Sequence, residues 1–133
     1  MKEKEHVKLE FSNEFDGILK AEKGTASIGR KEGQLKPYNL LLGALLACLY
    51  ATFLDIVKKM KLEFDSCDMT ADGVKREGTP GTLEHVKVEM IIYGAAEEQS
   101  ERFRRAADLA TKYCSVFETI SQVSEMELEV EFK

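Results

Sequence analysis

Between Leu40 and Leu54 the chain carries fifteen consecutive residues without a charge, and the rest of the fold has to accommodate that run. Pro37 lies just ahead of it, where the first turn of a helix has no use for the missing N–H, and Gly43 is the one breaker before Met60. The segment predicts a single helix of about 24 residues, about 36 Å long. Apolar side chains fall all round it rather than on one stripe, so it should be buried on several faces. The uncharged run ends at Asp55, short of the ~20 residues that a bilayer span requires, which favours burial within protein over a membrane. A helix as long as the diameter of a domain this size outreaches the cover of one sheet, and a second subunit is expected to supply the remainder. Its spacing gathers Gly43, Ala44, Ala47, Cys48, Ala51 and Thr52 on one narrow face, where small side chains let another backbone approach the Cys48 sulfur.

The segments around the helix read as strands and one further helix. From Lys4 to Phe11, Val7, Leu9 and Phe11 alternate with Lys8 and Glu10, the period of a half-buried strand. Asn13 to Gly17 supplies turn chemistry, Ile18 to Ala21 reads as the hairpin partner, and Thr25 to Ile28 as a third strand. A glycine-punctuated loop then leads to Lys36. Beyond the helix, Cys67, Met69 and Ala71 alternate with Asp68, Thr70 and Asp72, in a strand that continues towards Arg76. After Gly78-Thr79-Pro80-Gly81 the partner strand sets Val86, Val88, Met90 and Ile92 on one face against His85, Lys87 and Glu89 on the other. Glu97 to Lys112 is amphipathic, with acids in its first turn and Phe103, Ala106, Ala107 and Ala110 facing a core; a short helical turn follows from Ser115 to Ile120. The last strand, Glu125 to Phe132, exposes four glutamates on one face. The order is β-β-β-α-β-β-α-β, an α+β fold in a single domain spanning residues 1–133.

Composition narrows the function classes. A net charge of −5 argues against a nucleic-acid partner, which needs a basic surface to displace counterions. The charged start, Met1-Lys2-Glu3-Lys4-Glu5-His6, is unlike a signal peptide, so the expected location is cytoplasmic. In that reducing compartment the three cysteines are either buried filler or cycling thiols rather than a static framework. There is no Cys-x-x-Cys, and His6 and His85 stand apart, so neither a metal site nor another cofactor is expected. Cys67, on the apolar face of a strand, reads as filler. Cys48 in its apolar helix is filler or a reactive thiol. Cys114 lies between two helical segments, and at the start of the second the free N–H groups would favour its thiolate.

Arg30-Lys31-Glu32-Gly33, then Pro37, the run LLLGALLAC ending at Cys48, and KYCSV around Cys114 together resemble the OsmC/Ohr family over nearly the whole chain. That resemblance implies an OsmC-like fold with a long buried central helix, in an intertwined homodimer. It also implies a thiol-dependent peroxidase for organic hydroperoxides or hydrogen peroxide in oxidative stress defence. Cys48 would be the peroxidatic residue and Cys114 the resolving one, with a small peroxide as substrate and an external dithiol as reductant. Arg30 matches the family's arginine in the loop before the helix, where a fixed cation stabilises the thiolate and the leaving oxygen. The acidic partner of that arginine directly follows the proline in the family, and here Tyr38 stands in its place. Three arrangements stay open: Glu32 substitutes for the acid, the Tyr38 hydroxyl positions Arg30, or the site serves a different substrate. The alternative function on the same fold is a non-catalytic dimer that binds a small hydrophobic ligand at the subunit interface.

Overall fold

The computed structural model describes residues 2–133, and these divide into two compact units, residues 2–41 and 42–133. The first is an antiparallel meander of β1 (Lys8–Phe11), β2 (Asp16–Lys20) and β3 (Thr25–Gly29) in that spatial order. β1 begins at Lys8 rather than Lys4 because its partner runs out: Lys8 pairs with Lys20, the last residue of β2, and the chain turns at once through an Ala21 N–H to Gly24 bond. Leu9 and Phe11, expected to be half-buried, are each 46% exposed, and Phe11 instead stacks on Phe15 at 5.8 Å. Among the described residues of this unit nothing covers the outer strand, and all four residues of β1 stay exposed.

The loop after β3 is pinned by Gln34, whose amide donates to Asp16 Oδ1 at 2.8 Å and Ser27 Oγ at 3.2 Å while its carbonyl accepts from Lys31 N–H at 3.0 Å. Gly33 takes a φ of +84° in this turn, a conformation that a Cβ would strain. Helix α1 (Pro37–Lys59) starts with Asn39 reaching back to accept the Lys36 N–H at 2.9 Å, half of a capping box.

In the second unit α1 buries Leu45, Leu49, Phe53 and Val57, one residue per turn along a single stripe. Its other apolar faces are only partly covered within one chain: Gly43, Ala44, Ala47 and Ala51 are exposed, and Cys48 and Thr52 half-buried. The stripe belongs to a core shared with the sheet β4 (Ser66–Lys75), β5 (Leu83–Tyr93) and β6 (Glu125–Phe132), in the spatial order β4-β5-β6. Val86, Val88, Met90 and Ile92 of β5 are fully buried, as their alternation requires. β4 pairs antiparallel with β5, whereas β6 runs parallel to it and so needs a crossover.

That crossover is a 3-10 turn at Glu97–Gln99, α2 (Ser100–Tyr113) and α3 (Ser115–Ser121). Phe103, Ala106, Ala107 and Ala110 of α2 are buried and face the core. Aromatic rings knit the elements together: Phe53 packs edge-on against Phe64, Phe64 against Phe103, and Phe103 against Phe132, all at 6.0–6.2 Å. Arg104 closes the free edge of β6 by donating to the Val130 carbonyl at 3.0 Å, with its guanidinium over the Phe132 ring.

Candidate functional site: a thiol pair between two helices

Cys48 lies in the middle of α1, where the Thr52 hydroxyl donates back to its carbonyl at 3.0 Å. Cys114 lies where α2 stops and α3 begins. Its backbone is extended there, with φ −79° and ψ 114°, so the residue ends one helix and caps the next. The Cys114 N–H closes α2 on the Ala110 carbonyl at 2.8 Å, and its carbonyl opens α3 by accepting from Glu118 N–H at 3.0 Å. Its sulfur takes the place of the usual capping oxygen and accepts the Phe117 N–H at 3.4 Å. Cys114 is wholly buried, and Cys48 half-buried.

The two sulfurs are in contact. The Cys114 S–H donates to Cys48 Sγ at 3.0 Å, a thiol–thiol hydrogen bond well outside the ~2.05 Å of a disulfide. Burial alone would raise the Cys48 thiol. The Cys114 S–H donates to it, and together with the Val116 N–H and the hydroxyl and N–H of Ser115 at the start of α3 it outweighs burial, so Cys48 is held below the ordinary thiol value. Cys114 moves the other way: burial first, then its hydrogen bond to Cys48 and the charge there, push it up against the Phe117 and Val116 N–H groups. The two thiols are thus driven apart, with the thiolate favoured on Cys48 and the proton favoured on Cys114. This reverses the expectation that the start of the second helix would favour a Cys114 thiolate. The N–H groups at that start are divided, those of Ser115 and Val116 acting on Cys48 and those of Val116 and Phe117 on Cys114.

Cys67 is separate in character. On β4, burial and then the neighbouring Asp68 push its thiol up to about 11, in keeping with filler. Arg30 belongs to the first unit, where its guanidinium lies 4.9 Å from the centre of the Phe15 ring. Glu32 is exposed in the same loop, and Tyr38 is half-buried in the first turn of α1. Ser115, Val116 and Phe117, which act on the two sulfurs, carry no motif of their own in the sequence. A serine directly after a cysteine at a predicted helix start was the available signal.

A pair of touching thiols, one half-open and drawn down from the ordinary value, the other buried and pushed up, can cycle between dithiol and disulfide. The family model for OsmC-like protein matches residues 29–129, and the chain belongs to that family. Among solved structures, a hypothetical protein from Aquifex aeolicus is 27% identical, superposes with a TM-score of 0.88, and matches over 99% of this chain and 98% of its own. An OsmC-like protein from Mycoplasma pneumoniae shares the fold at 15% identity and TM-score 0.84, over 99% of each chain. The organic hydroperoxide resistance protein OsmC of Legionella pneumophila does so at 14% identity and TM-score 0.74, over 97% of each. No curated protein sequence matches the chain.

Proposed function

We propose that the protein is a cytoplasmic thiol-dependent peroxidase of oxidative stress defence, reducing organic hydroperoxides or hydrogen peroxide through Cys48 and Cys114. The observation that carries this reading is the 3.0 Å contact between a Cys114 thiol and a Cys48 sulfur favoured as the thiolate. The Cys48 thiolate attacks one peroxide oxygen and the O–O bond breaks. The other oxygen leaves and takes a proton to become an alcohol or water, and Cys48 becomes a sulfenic acid. The Cys114 sulfur then attacks Cys48, an S–S bond forms and water leaves; an external dithiol returns two electrons to restore both thiols. The sulfurs need to close by only about 1 Å to reach bonding distance.

Arg30 is assigned as the fixed cation that stabilises the thiolate and the departing oxygen, with Tyr38 or Glu32 orienting it. The active form is an intertwined homodimer: the open faces of α1 and the exposed Leu9, Phe11 and Ile18 of the first sheet are what a second copy would cover. Steady-state consumption of cumene hydroperoxide with a dithiol reductant tests the reading. The wild type should turn over and Cys48→Ser should not; equal rates would end it.

The exposed small residues on α1 beside Cys48 favour a second reading, a non-catalytic dimer that holds a small hydrophobic ligand at the subunit interface. A ligand that co-purifies in native mass spectrometry and survives Cys48→Ser would support that reading, and an empty protein would count against it.

A further inference from the structure

The donors at the start of α3 are divided between the two sulfurs. Ser115 serves Cys48, the Val116 N–H serves both, and the Phe117 N–H points at Cys114. In the reduced pair the Phe117 donor is opposed. Cys114 is wholly buried, and its proton is engaged by the Cys48 sulfur at 3.0 Å. The titratable group facing Cys114 is Cys48 on α1, while α2 and α3 present only backbone partners to it, the Ala110 carbonyl and the Phe117 and Val116 N–H groups.

We propose that the Phe117 peptide N–H is the activating donor of the second thiol, and that it acts only once Cys48 has lost its negative charge. Building on the peroxidase reading, this sets the order of the two half-reactions. While Cys48 is a thiolate, burial, the hydrogen bond to Cys48 and its charge together favour the proton on Cys114, and the buried sulfur is a poor nucleophile. When an oxygen is transferred to Cys48, the thiolate becomes a neutral sulfenic acid, and of the influences that held the proton the Cys48 charge and the hydrogen bond to its thiolate are lost while burial remains. The Phe117 and Val116 N–H groups are then opposed by burial but by no neighbouring charge, and they shift Cys114 towards its thiolate. That thiolate attacks Cys48 Sγ, the S–S bond forms, and the hydroxyl leaves as water with the proton Cys114 has released. Oxidation of the first thiol thus switches on the second, and the sulfenic acid is resolved soon after it forms.

Thiolate absorbance at 240 nm, read against a thiol-free variant, tests this without any peroxide, so the outcome is independent of whether the protein turns over hydroperoxides. In Cys67→Ala protein the pair should titrate in two steps, the second belonging to loss of the proton held against the Cys48 charge. Cys48→Ser in that background removes the charge and leaves Cys114 as the sole thiol; its midpoint should fall below the second step by about one unit, about tenfold in thiolate fraction. Cys48→Asp keeps a negative charge and should hold Cys114 near the second step. Phe117→Pro, added to Cys48→Ser, deletes the N–H in the first turn of a helix, where proline is tolerated, and should abolish the fall. Phe117→Ala, which loses the ring and keeps the N–H, should preserve it. A midpoint that does not fall in Cys48→Ser, or falls equally in Cys48→Asp, overturns the proposal. So does equal behaviour of the proline and alanine variants, and where the proline variant fails to fold, the serine and aspartate pair decides alone.

Discussion

Replacing Ser115 with alanine removes one hydroxyl from the sulfur of Cys48 and leaves three donors in place: the Cys114 S–H and the N–H groups of Val116 and Ser115. A hydrogen bond to a charged group contributes about 1.5 kcal/mol at the lower end of its range, and one pKa unit corresponds to about 1.4 kcal/mol. Full loss would therefore raise the Cys48 thiol by about one unit. Ser115 is exposed and Cys48 half-buried, so water takes over part of the lost bond, and the expected rise is about half a unit to one unit. The sign follows from the linkage: the folded state favours the Cys48 thiolate, a preference expressed above the ordinary thiol pKa and lost as pH falls through the depressed value. Weakening it moves that loss to higher pH and, at pH well below the midpoint, lowers the thiolate fraction by about three- to tenfold. Site-resolved alkylation by iodoacetamide across pH, followed by mass spectrometry, reads the midpoint for Cys48. Ser115→Thr, which keeps the hydroxyl, should restore it. An unchanged or lower midpoint in Ser115→Ala would refute the claim that the α3 entrance activates Cys48.

Other consequences are equally concrete. Phe103 is fully buried between Phe64 and Phe132, so Phe103→Ala should cost about 3–5 kcal/mol in denaturant unfolding; a loss below about 1 kcal/mol would mean that the aromatic row does not hold the second unit together. Cys67, pushed up to about 11, should be the slowest of the accessible thiols to alkylate at pH 8. Its preference for the neutral form stabilises the fold below the free-thiol value and is lost as pH rises from about 8.5 towards 11; an alkylation midpoint near 8.5 would contradict this. Arg30→Ala should leave unfolding unchanged within about 0.5 kcal/mol while slowing oxidation of Cys48 by peroxide at least tenfold, measured by stopped-flow. Full reactivity would remove Arg30 from the site.

The elements that the sequence made legible are those whose periodicity is reinforced by burial. Val86, Val88, Met90 and Ile92 on β5 and Phe103, Ala106, Ala107 and Ala110 on α2 alternate or recur as a one-sided core demands, and each is buried. The glutamates of β6 are exposed for the same reason. Element ends were harder to read. β1 is shorter than its alternation because pairing, not pattern, sets where a strand starts, and its apolar residues are open because no pattern says what will cover them. Glu97 and Glu98 lie in a 3-10 turn ahead of α2, since helix starts are fixed by local turn geometry more than by charge. At the site, spacing placed Cys48 on a helix and Cys114 between two, but the contact between them joins residues 66 positions apart. The distribution of N–H donors between two sulfurs is a property of the α2–α3 junction that composition does not carry.

The central claim is that Cys48 and Cys114 form one redox unit. Oxidising the reduced protein with one equivalent of cumene hydroperoxide, then quenching, digesting and mapping its linkages by mass spectrometry, tests it most directly. The account predicts rapid formation of a Cys48–Cys114 disulfide with Cys67 still reduced, and a stable Cys48 sulfenic acid when Cys114 is replaced by serine. Slow oxidation, or linkage mainly through Cys67, would contradict it.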